Sequence, residues 1–180
     1  MKQAYVDYLT DWAGEETRTI WEEKICGLGS PLMDADDDLK DIEKIIPEHW
    51  KSYLYKENGQ RKKMILYTMN SSSFIDYKEK AVDKLKRVVD IFREIKNEVC
   101  LLWYWDTAME ATLQTTYPEY WIELQKIVQQ YREEAWGIYE EELNYSIAVQ
   151  LSDAYYGDGC KLSHEMTIAK KAVMVQNYDC

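Results

Sequence analysis

Ala148-Val-Gln-Leu-Ser-Asp-Ala-Tyr-Tyr-Gly-Asp-Gly-Cys-Lys-Leu-Ser-His-Glu-Met-Thr-Ile-Ala-Lys-Lys-Ala-Val-Met-Val-Gln-Asn-Tyr-Asp179 is the stretch on which the fold turns. It reads as a helix ending at Leu151, a short strand over Ala154 to Tyr156, and a Gly-Asp-Gly turn. A second helix from about Cys160 to Lys170 and a second strand over Ala172 to Gln176 follow. Strand, glycine turn, helix and strand make the βαβ unit of a parallel sheet, which takes ligands at the carboxyl ends of its strands. Gly157-Asp158-Gly159 opens directly onto a helix start, where backbone N–H groups without carbonyl partners favour an anion. The competing reading is that Gly157 and Gly159 only close a tight turn.

Upstream of this unit the same alternation continues. Met64-Ile65-Leu66-Tyr67 is an apolar run suited to a strand buried on both faces, followed by a polar loop at Asn70-Ser71-Ser72-Ser73. Lys78 to Lys96 carries Val82, Leu85, Val88, Val89, Phe92 and Ile95 on one helical stripe. Glu98 to Trp103 is the next strand, Thr107 to Thr116 a loop or short helix, and Pro118 opens a further helix. Trp136-Gly137-Ile138-Tyr139 reads as a strand and Asn144 to Leu151 as a helix. Five strands alternating with helices predict an α/β, Rossmann-like domain over 61–180, its sheet mostly parallel and flanked by helices.

Residues 1–60 read as a helical and irregular lead-in. Ala4, Tyr5, Tyr8, Leu9 and Trp12 recur at helical spacing, and Glu15 to Glu23 makes a second helical piece. Lys24 to Leu28 reads as a short strand before the breaker Gly29-Ser30-Pro31, and Pro47 opens a short helix over Glu48 to Tyr55. The run Asp34, Asp36, Asp37, Asp38 lacks the central glycine and closing glutamate of a calcium loop, so it reads as a solvated acidic loop.

The chain of 180 residues carries a formal charge of −11, which argues against a nucleic-acid partner but not against a small anionic ligand. Seven tryptophans and fifteen tyrosines supply a core and leave room for one adhesive surface. Cys26, Cys100, Cys160 and Cys180 form no Cys-x-x-Cys pair, and neither His49 nor His164 stands at metal-ligand spacing from them. Free thiols in a reducing compartment, no metal, no cofactor and a cytoplasmic location are the expectation. Cys160 at a helix start could be an activated thiolate, but only His164 one turn on could serve it. Glu141-Glu142 reads as a solvated charged face.

Certain segments carry a resemblance. Cys26-Gly27-Leu28-Gly29-Ser30-Pro31, Leu101-Leu102-Trp103, Trp136-Gly137-Ile138-Tyr139, Ser152 to Asp158 and Ala172 to Tyr178 resemble, in order and spacing, one transferase family. They look like the C-terminal half of CDP-glycerol glycerophosphotransferase-like proteins, two-domain GT-B transferases related to enzymes of teichoic-acid and similar cell-surface polymers. The resemblance implies a donor-nucleotide-binding domain that needs no metal, at the inner face of the cell membrane. It also implies that residues 1–31 are the closing helix and strand of an N-terminal domain. Where the family has Arg-Pro-His-Pro after the second strand, this chain has Tyr104-Trp105-Asp106-Thr107. Where the family has a serine pair at the helix start, it has Cys160-Lys161.

Two functional expectations follow. In the first, the chain is the donor-binding half of such a transferase, not active alone. A nucleotide-activated alditol or sugar is then held by Asp158, Gly159, Cys160 and Lys161, with Ser71 and Ser72 across the sheet edge. In the second it is a catalytically silent relative, with Trp103, Tyr104 and Trp105 as an aromatic patch for a partner. In either case a second protein or a second copy is expected over residues 2–21. No catalytic residue is assigned.

Overall fold

Five apolar segments separated by amphipathic ones form five strands, named β1 (Lys63–Thr68), β2 (Val99–Tyr104), β3 (Ile138–Glu140), β4 (Ala154–Gly157) and β5 (Ala172–Val175). Their order across the sheet is β3-β2-β1-β4-β5, and every neighbouring pair is parallel. The computed structural model describes residues 2–26, 44, 46–105 and 107–178. The chain divides between Asp38 and Leu39 into two units, the second of which holds the sheet.

Alternation along the strands sends side chains to two faces. Tyr67, Leu101 and Trp103 join one large buried cluster with Val82, Leu85 and Val89 of the helix Glu79–Glu94 and Leu124 and Val128 of the helix Pro118–Glu134. Met64, Leu66 and Leu102, at the alternate positions, are fully buried outside that cluster, as are Leu54 and Ala148. A strand covered on both faces can run apolar along its length, as Met64 to Tyr67 of β1 and all of β2 do.

Among the described residues the α-helices, in chain order, are α1 (Lys2–Ala13) and α2 (Arg18–Lys24) in the first unit and, in the second, α3 (Lys51–Leu54), α4 (Ser71–Tyr77), α5 (Glu79–Glu94), α6 (Thr107–Thr116), α7 (Pro118–Glu134), α8 (Tyr145–Leu151) and α9 (Lys161–Ile168). Pro118 starts α7 at a position that needs no N–H, and Ala135 ends it in the left-handed region at φ 49°. Asn144 caps α8 by accepting the Ile147 N–H at 3.1 Å. At the other end of α8, Lys171 Nζ donates to the carbonyls of Val149, Gln150 and Ser152 at 2.5, 2.5 and 2.6 Å. One ammonium thus serves three carbonyls that the helix leaves without partners.

Two expectations differ from the structure. Ser71 to Ser73, read as loop, begin α4, because Phe74 one turn along is fully buried and holds the segment to the core. Lys24 ends a helix, and Ile25 and Cys26 form no strand; Gly27 to Pro31 and the aspartate run lie outside the described residues. In the first unit, α1 (Lys2–Ala13) and α2 (Arg18–Lys24) meet through the turn at Gly14, whose φ of 100° favours glycine. The Arg18 guanidinium ties them by donating to Asp7 at 2.8 Å and Glu15 at 2.5 Å. Val6 is buried, whereas Tyr5, Tyr8 and Trp12 are exposed on one side of α1.

Candidate functional site

The strand order reverses between β1 and β4, and open parallel sheets bind ligands beyond the carboxyl ends of strands at such a switch point. Two loops meet there, Met69-Asn70 after β1 and Asp158-Gly159-Cys160 after β4. Asp158 joins them. One carboxylate oxygen accepts the Asn70 N–H at 2.7 Å and the Ser73 hydroxyl at 2.6 Å. The other accepts the Gln176 amide and the Tyr178 hydroxyl, both at 2.7 Å. Asp158 is buried and faces four protein donors, so it braces the loops and is not a phosphate contact. Burial first, and the Asp158 charge after it, push the Tyr178 phenol up and keep it a donor.

The two glycines of the turn have different tasks. Gly157 has φ 149°, and a Cβ there would stand 2.2 Å from the Thr68 carbonyl oxygen, so β1 and β4 approach too closely for any side chain. At Gly159 a Cβ would meet nothing within 4 Å, and its carbonyl accepts the Asn70 side-chain amide at 3.0 Å. Gly157 is required by the fold, and Gly159 leaves open space.

Cys160 is the N-cap of α9. Its sulfur accepts the Ser163 N–H, and its own N–H donates to the Ser163 hydroxyl at 2.9 Å. This reciprocal box is the arrangement a serine cap makes, with a thiol in the hydroxyl's place. Tyr155 Oη stands 3.3 Å from the sulfur and donates to the Asp158 carbonyl at 2.5 Å. The thiol therefore has a capping role, and His164 is exposed. The first-turn N–H groups of Lys161 and Leu162 remain without a carbonyl partner in the helix.

Around this helix start lies a cleft of about 90 Å³, bordered by Thr68, Asn70, Trp105, Tyr145, Cys160 and Lys161. Lys161 is exposed, its ammonium 5.8 Å from the centre of the Tyr145 ring. The cleft suits one small anionic group and falls below the roughly 300 Å³ of a whole ligand pocket. Of the six residues expected at a phosphate, Cys160 and Lys161 border it. Gly159 gives it room, Asp158 supports it from behind, and neither Ser71 nor Ser72 lines it. The sequence reading missed Ser73, Gln176 and Tyr178, which act through Asp158 and carry no motif.

Trp103 and Trp105 are buried and belong to the main core cluster, so the expected aromatic surface patch is not formed. Trp103 lies edge-on to Trp105, Tyr131 and Tyr139, with centroids 5.1 to 5.6 Å apart. Four aromatic rings at the end of β2 fill the space between sheet and helices. Tyr104 is half-buried, with its hydroxyl 3.4 Å from that of Tyr145, and Asp106 lies outside the described residues.

A second, larger cleft of about 650 Å³ opens beyond the carboxyl ends of β2 and β3. Trp105 walls both clefts. Of the charged residues along the larger one, five are glutamates and one is Arg132. Among the described residues no cluster of histidine, cysteine, aspartate and glutamate could hold a metal ion. Nor is any described helix long and apolar enough to cross a membrane. Cys26, Cys100 and Cys160 are unpaired, and burial pushes the Cys100 thiol up to about 12. Compared with protein-family models, curated proteins and solved structures, the chain shows no match.

Proposed function

We propose that the chain is the donor-binding half of a GT-B type transferase resembling the CDP-glycerol glycerophosphotransferases. It would hold the diphosphate of a nucleotide-activated alditol or sugar at the β1–β4 switch point. One observation carries the reading: Lys161 and the start of α9 border an open cleft at the place where parallel sheets take anions. The first-turn N–H groups of Lys161 and Leu162 supply donors, and the Lys161 ammonium supplies charge. Gly159 keeps the approach free of a side chain. The acceptor and the catalytic groups belong to another domain or chain in this reading. Work on cell-surface polymers at the inner face of the membrane is part of the same proposal. So is a second protein or second copy over α1, supported by the exposure of Tyr5, Tyr8 and Trp12.

Calorimetric titration with CDP-glycerol, CDP and a UDP-sugar tests it. Binding is expected, and Lys161→Glu should weaken it about ten- to a hundredfold by placing a carboxylate beside the phosphates. Absence of binding to the parent chain, or binding indifferent to Lys161→Glu, overturns the reading.

A further inference from the structure

We propose that the outer edge of β5 is an interface at which two copies of this chain pair their β5 strands antiparallel and join their sheets. The proposal does not depend on the donor reading. β5 ends the sheet, and among the described residues no strand lies on its far side. The two edges of the sheet are finished differently. At β3, Glu140 is held by His49 at 2.7 Å and by the Trp50 indole, so the segment ahead of β1 is fastened to that edge. At β5, Met174 is 65% and Val175 58% exposed, and the strand carries no charge and no proline. Strand edges offer unpaired N–H and C=O groups, which proteins ordinarily guard with charge, proline or a covering segment. β5 has none of these guards among the described residues.

The register fixes which groups are free. The Gln176 N–H donates to the Gly157 carbonyl at 2.8 Å, and Tyr155 and Gly157 stand beside Val173 and Val175. Backbone direction alternates along a strand, so Ala172, Met174 and Gln176 turn their backbone groups to β4. Val173 and Val175 turn theirs outward. The fitting occupant is a strand with the same spacing of donors and acceptors, and β5 of a second copy has it. With a two-fold axis at Met174, Val173 of each copy faces Val175 of the other, and every outward N–H meets an outward carbonyl.

The side chains match as well. Valines pair across the junction on one face, and on the other the two Met174 side chains meet beside Tyr156. Tyr77, stacked on Tyr178 at 4.6 Å, continues this apolar surface past the carboxyl end of β5. The chain's charge of −11 opposes association of copies in general, but none of it lies in β5. Lys170, exposed ahead of the strand, would face position 178 of the other copy. Its distance from the other Lys170 is then roughly 27 Å at about 3.4 Å per residue, far enough for salt to screen the repulsion. So short a pairing buries less than a standard interface, which makes the dimer weak and reversible.

Sedimentation equilibrium of the full chain tests the interface. A monomer–dimer equilibrium with a Kd of about 10–300 μM is expected. Met174→Lys sets two ammonium groups side by side on the axis and should weaken it at least about tenfold. It should leave the melting temperature of the monomer unchanged, because Met174 is exposed. Val175→Pro removes an outward N–H that β4 does not use, so this variant should fold and fail to dimerise. Trp12→Ser, on the exposed side of α1, is the control and should leave the equilibrium unchanged. Amide exchange at Val173 and Val175 should slow as the concentration rises through the Kd. A single-chain mass at about 1 mM, a dimer indifferent to Met174→Lys, or one lost in Trp12→Ser but kept in Met174→Lys overturns the proposal. So does protection of both valine amides at every concentration, which would assign the edge to a segment of the same chain.

Discussion

The two clefts on the carboxyl edge of the sheet share a tryptophan and differ in almost everything else. The one at the β1–β4 switch is small, with a buried carboxylate behind it that meets four donors, and Lys161 beside it. The one beyond β2 and β3 is several times larger, walled by rings and lined by glutamates. Polar atoms used up by internal hydrogen bonds make a rigid support, and polar atoms left facing solvent make a surface for a guest. The same edge thus carries one braced cleft and one open, acidic one.

The sharpest way to break this comparison is to remove the brace. Asp158→Ala leaves Asn70 N–H, Ser73, Gln176 and Tyr178 without their acceptor in a buried place, and should cost about 3–5 kcal/mol. A calorimetric scan should then show a melting temperature lower by roughly 8 °C or more. A loss below about 1 kcal/mol would mean that the loops are held by something other than this carboxylate.

The glycines give the next effect. Gly157→Ala forces a methyl group against the Thr68 carbonyl at 2.2 Å and should destabilise by about 2–4 kcal/mol. Gly159→Ala meets open space and should stay within about 0.5 kcal/mol in urea unfolding. Equal costs at the two positions would contradict the division of labour within the turn.

A modest effect belongs to the amino edge of the sheet, which serves as a control away from both clefts. Burial raises the Asp153 pKa, but the Met64 N–H at 2.9 Å, Lys63 at 2.9 Å and Arg61 outweigh it and hold the carboxyl below its ordinary range. A depressed folded-state pKa gives stability that is complete above the unfolded value near 3.9 and lost as pH falls through the folded one. Asp153→Asn should therefore cost about 1 kcal/mol at neutral pH. Melting temperatures between pH 2 and 7 should show that gap closing below about pH 4. A gap that persists in acid would assign the effect to packing.

Much of the fold could be read from spacing alone. Met64-Ile65-Leu66-Tyr67, Leu101-Leu102-Trp103 and Ala154-Tyr155-Tyr156 are too short and too apolar to be anything but buried strands, and the stripe from Val82 to Val89 fits one helix face. Less was legible at the candidate site. Asp158 looked like a ligand because aspartate after a glycine usually faces solvent. Its partners Ser73, Gln176 and Tyr178 come from segments 85, 18 and 20 residues away. Trp103 and Trp105 looked like a surface patch because a run of large aromatics after a strand does not reveal how deep the helices above it reach. The acidic cleft was missed because Glu141-Glu142 reads as ordinary solvated charge until Trp105 and Trp121 stand beside it.

The sequence by itself determined the five parallel strands, their alternation with helices and the glycine turn before α9, since periodicity and turn chemistry act between near neighbours. Only the tertiary structure decided which polar groups are consumed and which are free. Whether Asp158 meets donors or a ligand, and whether Trp105 lies in the core or on the surface, depends on residues brought together from distant parts of the chain. Local propensity carries no term for such encounters, and burial makes them decisive.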